Sequence, residues 1–381
     1  MTEDTFVPNR RVITKNRVES VITHDRVARP ARMIIHGDNA TLESLLEEFA
    51  GHWKVSARNV ANYREIWDMY LPKYDEKKPE HHLNKDWCVT YNPIITVRKC
   101  YPSNARSASI DELPYFIIIL NAARDLRPKE EKKVESKGKD PLQENLIDRG
   151  MIIAEFDDFY LTPNGYPYHP YASLLIAKDE KREQKYPAPH EIESWMRFSI
   201  LMKQYVFFNA PYAGASVYNR LHAQVVDPEG IRYENKVAPY PILQKHIMKR
   251  ISVKDGIDIL RGYGIEVLSL KGRDAPYRAS HAVKKLRDDG HWYNIMVNGK
   301  EVLIVARNAE KETSKCIGKK CGAYEMSGVV LVGNVEEKLL EQIDLDRVVY
   351  GAEIFSQLNY EQIASNISNA TIGLGGLERS L

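Results

Sequence analysis

Two short apolar runs, 293–297 and 301–305, flank the dipeptide Asn298-Gly299. Asn-Gly between such runs is the strongest short-range signal for a β-hairpin, because both residues tolerate the positive φ of a tight turn. The two runs are therefore predicted to pair as antiparallel strands. This pairing constrains the chain more than any other single feature, and it favours an α+β fold built on antiparallel sheet.

Other apolar, β-rich stretches predict further strands at 171–177, 205–209 and 221–226. The first of them follows a segment rich in proline, glycine and asparagine, which is typical of a turn. These strands extend the predicted sheet on the N-terminal side of the hairpin.

Helices are predicted from apolar residues that recur at helical spacing. One covers 191–204, where a single stripe contains Ile192, Trp195, Met196 and Ser199. A second is predicted to begin at Ser252, because Asp255 three residues later completes a capping-box pattern.

The chain divides into three parts by pattern. Residues 1–80 are predicted to form an N-terminal arm with a helical extension around 42–49. Residues 81–345 form the main domain, in which the charge run 127–140 is a predicted surface loop. Residues 346–381 form a C-terminal tail.

Composition excludes several classes of protein. No apolar run among the 381 residues approaches the roughly 20 that cross a bilayer, and the first residues lack a secretory signal. The formal charge of +2 gives no electrostatic drive towards nucleic acid. Four cysteines without a paired framework indicate a reducing compartment, so we expect a cytoplasmic protein without a membrane or nucleic-acid partner.

The segment 209–216 connects two predicted strands and is a candidate phosphate-binding turn. Its small residues, among them Gly214, let the backbone approach a ligand closely. Backbone N–H groups and the hydroxyl of Ser216 suit phosphate oxygens.

A polar trio follows on the next predicted strand. Side chains alternate between the two faces of a strand, so Arg220, His222 and Gln224 are predicted to share one face. The residues between them are apolar and suit the core. The pattern alone also fits a solvated outer face with a histidine that has ordinary hydrogen-bond partners.

The stretch 208–224, which reads FNAPYAGASVYNRLHAQ, resembles the active-site segment of nucleotidyl-histidine transferases. These enzymes form the galactose-1-phosphate uridylyltransferase, GDP-L-galactose phosphorylase and diadenosine tetraphosphate phosphorylase branch of the histidine triad (HIT-like) superfamily. Their segment is a small-residue turn that ends in serine, followed by His-x-His-x-Gln. Fainter similarity is found at 91–93, 166–170, 293–296, Arg307 and 322–328.

The resemblance implies a HIT-like antiparallel sheet with flanking helices, arranged as two HIT-like halves. It also implies that His222 attacks the α-phosphorus of a nucleotide and forms a covalent intermediate, with Gln224 as its catalytic companion. The implied nucleotide- and phosphate-binding residues are Asn209, Gly214, Ser216 and Arg220. The implied partners are a nucleotide or nucleotide-sugar substrate, a phosphate acceptor and a second copy of the chain in a homodimer.

The chain departs from the family where the uridylyltransferases bind structural zinc. The aligned ligand positions hold Tyr115, Ile118, Lys181 and Arg220, none of which suits zinc. We therefore expect no zinc and no cofactor. Arg220 then either holds substrate phosphates or pairs with a carboxylate in the space of the metal.

Three functions remain compatible with these residues. The first is a nucleotidyltransferase or phosphorylase that acts on a nucleoside diphosphate sugar or a dinucleoside polyphosphate. The second is a hydrolase of the same compounds. The third is a nucleotide-binding protein with weakened catalysis, because Arg220 replaces a histidine of the motif.

Overall fold

The computed structural model describes residues 32–33, 94–99, 115–120, 140–148, 152, 154–164, 172–228, 232–233, 236–237, 239–245, 247–314, 319–332 and 352. Several sequence-based predictions fall outside these residues. They concern the arm, the helix at 42–49, the loop 127–139, the similarity at 91–93 and 166–170, and nearly all of the tail.

The described elements are mostly strands. These are β1 (Arg32–Met33), β2 (Ile94–Lys99), β3 (Tyr115–Leu120), β4 (Ala154–Phe156), β5 (Phe159–Pro163), β6 (Ser173–Ala177), β7 (Tyr205–Asn209), β8 (His222–Val226), β9 (Arg232–Tyr233), β10 (Lys236–Val237), β11 (Lys249–Lys254), β12 (Ile257–Gly262), β13 (Ile265–Lys271), β14 (Trp292–Val297), β15 (Glu301–Arg307), β16 (Thr313–Ser314), β17 (Lys319–Lys320) and β18 (Val329–Val332). The α-helices are α1 (Pro189–Met202), α2 (Ala275–Asp288) and α3 (Ala323–Met326). A π-helical turn covers Gln143–Ile147, and short 3₁₀ turns cover Pro241–Leu243 and Ala309–Lys311.

One eleven-stranded sheet dominates the described part of the chain. Its order is β1-β4-β5-β6-β8-β7-β14-β15-β13-β12-β11, and every pairing except that of β1 with β4 is antiparallel. The hairpin predicted at Asn298-Gly299 is confirmed, because β14 pairs with β15 and Val297 lies opposite Val302. The antiparallel α+β class predicted from the sequence is thereby confirmed.

The same succession of elements occurs twice in this sheet. Three strands, a helix and two strands follow one another in β4-β5-β6-α1-β7-β8, and again in β11-β12-β13-α2-β14-β15. In both runs the fifth strand lies between the third and the fourth. The two fourth strands, β7 and β14, pair with each other and join the runs into one sheet, with Phe208 opposite Ile295.

Helices α1 and α2 cover one face of the sheet. Helix α1 follows the stripe predicted from the sequence, with Ile192, Trp195 and Met196 in the main apolar cluster. It starts at Pro189, where the pre-set φ of proline fits the first turn, and it ends before Lys203 in the left-handed region. No helix in the described part of the chain is long and apolar enough to cross a bilayer.

The opposite face is covered in two separate places. A three-stranded sheet of β18, β3 and β2, with α3 and Pro241–Leu243, covers the side chains of Phe207, Met296 and Leu303. Leu146 of the π-helical turn and Leu142 just before it cover Leu174 and Ile176 of β6. The start of β8 lies between these two covers.

The helix predicted to begin at Ser252 is wrong. Ser252 lies within β11, which forms a hairpin with β12 in which Lys254 pairs with Ile257. The turn is Asp255-Gly256, and Asp-Gly is itself a preferred hairpin dipeptide. The alternating burial of β11 also matches the two-residue period of a strand, which outweighs a capping pattern of only two residues.

We expect Gly256→Ala to destabilise the protein more than Gly290→Ala. Both glycines have positive φ, +69° and +86°, so alanine costs about 1–2 kcal/mol of backbone strain at either position. A Cβ at Gly256 would also lie 2.7 Å from the Lys271 carbonyl oxygen, whereas nothing lies within 4 Å of a Cβ at Gly290. Urea unfolding should show at least about 1 kcal/mol of further loss for Gly256→Ala, and equal losses would contradict the tight turn.

Candidate active site

His222 is the first residue of β8 and lies on the face opposite the long helices. Its cross-strand neighbour in β6 is Ile176, and two residues further along β8 Gln224 lies opposite Leu174. Only 9% of the His222 surface is exposed, and Gln224 is half-buried. The predicted sharing of one face by His222 and Gln224 is therefore present in the strand.

One ring nitrogen of His222 has a defined role. Nδ1 lies 3.0 Å from the backbone carbonyl oxygen of Arg220. A carbonyl only accepts hydrogen bonds, so in the neutral ring Nδ1 carries the proton and donates it. Nε2 then keeps its lone pair, which is the electron pair a nucleophilic imidazole uses.

Burial keeps this imidazole neutral. Desolvation lowers the pKa of His222 from its ordinary value, while the hydrogen bond to the Arg220 carbonyl and the charge of Asp140 act in the opposite direction. The burial effect is the largest of the three. The neutral, nucleophilic form is therefore favoured at physiological pH.

Gln184 fixes the backbone of His222. Its buried side chain accepts from the His222 N–H at 2.6 Å and donates to the His222 carbonyl at 2.8 Å. The same amide nitrogen donates to the carbonyl of Asn209 at 3.0 Å. One side chain thus connects the start of β8 to the end of β7. No sequence motif indicated Gln184, because the bonds are made to backbone groups.

Arg220 precedes β8, so strand alternation does not define the direction of its side chain. Its side chain is fully buried, and Nη1 lies 3.0 Å from Asp140 Oδ2. Nε donates to the Ala177 carbonyl at 2.7 Å. This is the carboxylate pairing left open by the sequence, and such burial opposes the predicted contact with substrate phosphates.

Two of the other positions aligned with zinc ligands, Ile118 and Lys181, have side chains that the structure describes. Ile118 is buried in β3, in the separate three-stranded sheet, and pairs with Val330. Lys181 is exposed in a turn after Asp179. Within the described ranges, no group of three or more His, Cys, Asp or Glu residues could hold a metal ion.

The turn after β7 is held against the segment before α3. Asn209 Oδ1 accepts from the Ala323 N–H at 2.7 Å and from the side-chain amide of Asn294 at 2.8 Å. Gly214 has a φ of +96°, and a Cβ there would lie 2.5 Å from the Cα of Gly322. Both Asn209 and Gly214 therefore have structural contacts at the positions where the sequence predicted phosphate binding.

Charged residues stabilise the contact between Gly214 and Gly322. Glu312 accepts from the Gly214 N–H at 3.0 Å. Arg307 donates to Asn294 Oδ1 at 2.7 Å and to the Cys321 carbonyl at 2.9 Å, and burial lowers its pKa. Glu325 accepts from the Gly322 N–H at 2.8 Å. The residues of the faint C-terminal similarity, Arg307 and 322–328, thus stabilise the same turn as Asn209.

The structure brings together some predicted residues and not others. His222 and Gln224 share a face, and Asn209 is linked to His222 through Gln184. Ser216 is exposed at the far end of the turn. Gln184, Asp140 and Glu312 are the contributors that the sequence did not single out.

The fold is similar to that of a solved Ap4A phosphorylase, an enzyme of the group that the segment 208–224 resembles. Yeast Ap4A phosphorylase Apa2 in complex with Ap4A matches with a TM-score of 0.50 and 14% identity, over 74% of this chain and 97% of that chain. The same enzyme in complex with AMP gives a TM-score of 0.50 and 15% identity, over 74% and 96%. No protein-family model and no curated protein matches the sequence.

We expect Gln184→Glu to destabilise the protein. Replacing the amide nitrogen by oxygen leaves the half-buried carbonyl of Asn209 and the buried carbonyl of His222 without their donor, and the loss at the buried carbonyl costs about 1–3 kcal/mol. Gln244→Glu is the control. The Gln244 amide is half-buried, and its hydrogen bond to the Tyr240 carbonyl is long and weak, at 3.5 Å. Urea unfolding should show a change within about 0.5 kcal/mol for the control. Equal effects would contradict the role of Gln184.

We expect His222 to titrate below its ordinary pKa of about 6.5. In the unfolded chain the imidazole takes up a proton near its ordinary pKa. In the folded chain it takes up that proton only at a lower pH. The free energy of unfolding should therefore fall as the pH drops through the interval between the two. An NMR titration, with the His222 signals assigned by their loss in His222→Asn, measures the midpoint. A midpoint at or above that of the urea-unfolded chain would contradict the effect of burial.

Proposed function

We propose that the chain is a nucleotidyltransferase of the phosphorylase kind that works through a covalent nucleotidyl-histidine at His222. One observation carries the proposal. The Nδ1 contact with the Arg220 carbonyl leaves the Nε2 lone pair of a neutral, buried imidazole for attack. Its location on the sheet face beside Gln224, in a fold shared with Ap4A phosphorylase, supports the same role.

The chemistry divides into two displacements. In the first, Nε2 attacks the α-phosphorus, the bond from that phosphorus to the leaving phosphate oxygen breaks, and the leaving phosphate departs with the electron pair. In the second, an oxygen of inorganic phosphate attacks the same phosphorus and the bond to Nε2 breaks. The ring keeps the proton on Nδ1 throughout, donated to the Arg220 carbonyl.

The remaining polar groups act on phosphate oxygens in this proposal. The Gln224 amide donates to a non-bridging oxygen at the α-phosphorus, where charge must be held during transfer. Ser216 and the backbone N–H groups near it bind the leaving phosphate. Asn209 Oδ1 already accepts two hydrogen bonds, so its amide nitrogen is the atom that donates to phosphate.

A dinucleoside polyphosphate is the substrate class we favour over a nucleoside diphosphate sugar. The reason is that the matched structures contain Ap4A and AMP, whereas the sequence segment is compatible with both classes. Inorganic phosphate is the proposed acceptor. A hydrolase that uses water, and a nucleotide-binding protein with weak turnover, are the two alternatives that the experiment below separates.

We further propose that the two six-element runs of the sheet are two HIT-like halves, of which only the first is catalytic. On the corresponding face, β8 has His222 and Gln224, whereas β15 has Leu303 and Val305 in an apolar cluster. The proposed catalytic domain therefore spans 81–345 and contains one nucleophile per chain. Homodimer formation and a cytoplasmic location remain proposals based on the resemblance and on composition.

The proposed catalyst requires no zinc and no other cofactor. The support is the chemistry of the residues at the aligned positions. A guanidinium takes the place of one ligand, and its neighbour is a single carboxylate, Asp140. Neither lysine at 181 nor isoleucine at 118 supplies a zinc-binding atom under ordinary conditions.

The decisive experiment uses Ap4A labelled at the α-phosphorus. The parent protein should acquire an acid-labile label, and inorganic phosphate should discharge it. His222→Asn should acquire no label and should lose at least about 10³-fold in turnover, since loss of a nucleophile costs orders of magnitude. Turnover within tenfold of the parent would reject His222 as the nucleophile.

Two controls separate the alternatives. His190→Asn makes the same substitution at an exposed histidine in the first turn of α1 and should leave labelling unchanged. Discharge of the label by water at the same rate as by phosphate would indicate a hydrolase. Stabilisation of the folded protein by Ap4A without any label would indicate a binding protein.

A further inference from the structure

Arg220, two positions before His222, has hydrogen-bond partners both at its guanidinium and at its backbone carbonyl. The guanidinium of Arg220 is 0% exposed and is bound by Asp140 at 3.0 Å, the Ala177 carbonyl at 2.7 Å and the Lys178 carbonyl at 3.4 Å. The backbone carbonyl of Arg220 accepts from Nδ1 of His222 at 3.0 Å. A change in the position of Arg220 would therefore move the acceptor that orients the imidazole.

Asp140 uses its two oxygens for two different purposes. Oδ2 pairs with Arg220, and Oδ1 accepts from the backbone N–H of Leu142 at 3.0 Å. Leu142 belongs to the apolar cluster that covers Ile176, the cross-strand neighbour of His222. Asp140 therefore connects the apolar cluster of Leu142 to Arg220, whose carbonyl orients the His222 ring.

We propose that the Asp140–Arg220 ion pair is a positioning device for the nucleophile. It fixes the Arg220 carbonyl, and that carbonyl holds the His222 ring in the tautomer with the proton on Nδ1 and the lone pair on Nε2. The proposal rests on the proposed function of His222. Asp140 and Arg220 are positioning residues, because they act through His222 and do not touch the substrate.

The energetics of a buried charge favour this role over simple stabilisation. A fully buried guanidinium loses its hydration, and a single carboxylate at the edge of the site repays only part of that cost. An apolar pair of the same size would often stabilise a protein equally well or better. The planar fork of arginine adds what an apolar residue lacks, namely three acceptors bound in fixed directions.

Asp140→Asn tests the proposal with little change in shape. Asparagine keeps an oxygen for the Leu142 N–H and removes the charge that holds Arg220. The kcat for Ap4A phosphorolysis should fall by roughly 10- to 100-fold, the scale of a nucleophile misplaced by about 1 Å, while KM changes less than twofold. Nitrogen NMR of the His222 ring should change from a single tautomer, with the proton on Nδ1, to a mixture of tautomers.

Arg220→Lys provides a second variant in case the first folds poorly. Lysine keeps the positive charge, but its single ammonium cannot reach all three acceptors in the directions of the fork. The same loss of kcat and the same mixed tautomers are expected. Thermal unfolding of each variant shows whether the folded state persists at the temperature of the assay.

Asp157→Asn is the matched control. Asp157 pairs with Arg197 of α1 at 2.7 Å, with only 10% and 20% of the two side chains exposed. Removing this charge should lower the melting temperature and leave the His222 ring signals and kcat unchanged. If Asp140→Asn behaves in the same way, the Asp140–Arg220 pair is merely structural and the proposal is overturned.

The NMR measurement needs no substrate, so it separates the two proposals. Mixed tautomers in Asp140→Asn, together with a parent protein that acquires no label from Ap4A, would reject the proposed function and support the positioning of His222. A parent that acquires the label, with one unchanged tautomer and an unchanged kcat in both variants, would support the proposed function and reject the positioning role of Asp140 and Arg220.

Discussion

The pairing of β7 with β14 is the contact on which the rest of the structure depends. It joins two runs of six elements into one sheet, with Phe208 opposite Ile295 in the core beneath both long helices. The register of this pair also places Asn209 opposite Asn294 at the end of β7. From that point a chain of hydrogen bonds reaches Ala323 and Arg307, and so the candidate phosphate-binding turn is built where the two runs meet.

The two runs share a topology but differ in the connection between their last two strands. In the first, a connection of twelve residues between β7 and β8 (210–221) forms the turn and leads into His222. In the second, the tight hairpin at Asn298-Gly299 makes the same connection. The face that contains His222 and Gln224 in the first run contains Leu303 and Val305 in the second, beneath the small sheet. The second run therefore supports the site through Asn294 and Arg307.

Local sequence signals predicted the parts of this structure that depend on local physics. The Asn-Gly hairpin, the helix stripe with Trp195, and the strands before and after the turn all follow from period and turn chemistry. The second hairpin was missed because Asp255 fits both a helix cap and a tight turn, and only the pairing partner decides between them. Gln184 and Asp140 were missed because they act on a backbone and on a residue distant in sequence, for which no periodicity exists. The topological repeat leaves no obvious repeat in the sequence, since packing requires only apolar residues at alternate positions.

The contact between Gly214 and Gly322 has a consequence for how the protein is made. The Gly214 N–H bonds to Glu312, 98 residues further along the chain, and the glycine backbone lies directly against Gly322. At a synthesis rate of about 5–20 residues per second, the first run leaves the ribosome roughly 5–20 s before its turn can meet these partners. During that interval the nascent chain contains the histidine but not the seam that shapes the turn around it. The turn at Gly214 therefore reaches its final structure only after the C-terminal run has docked.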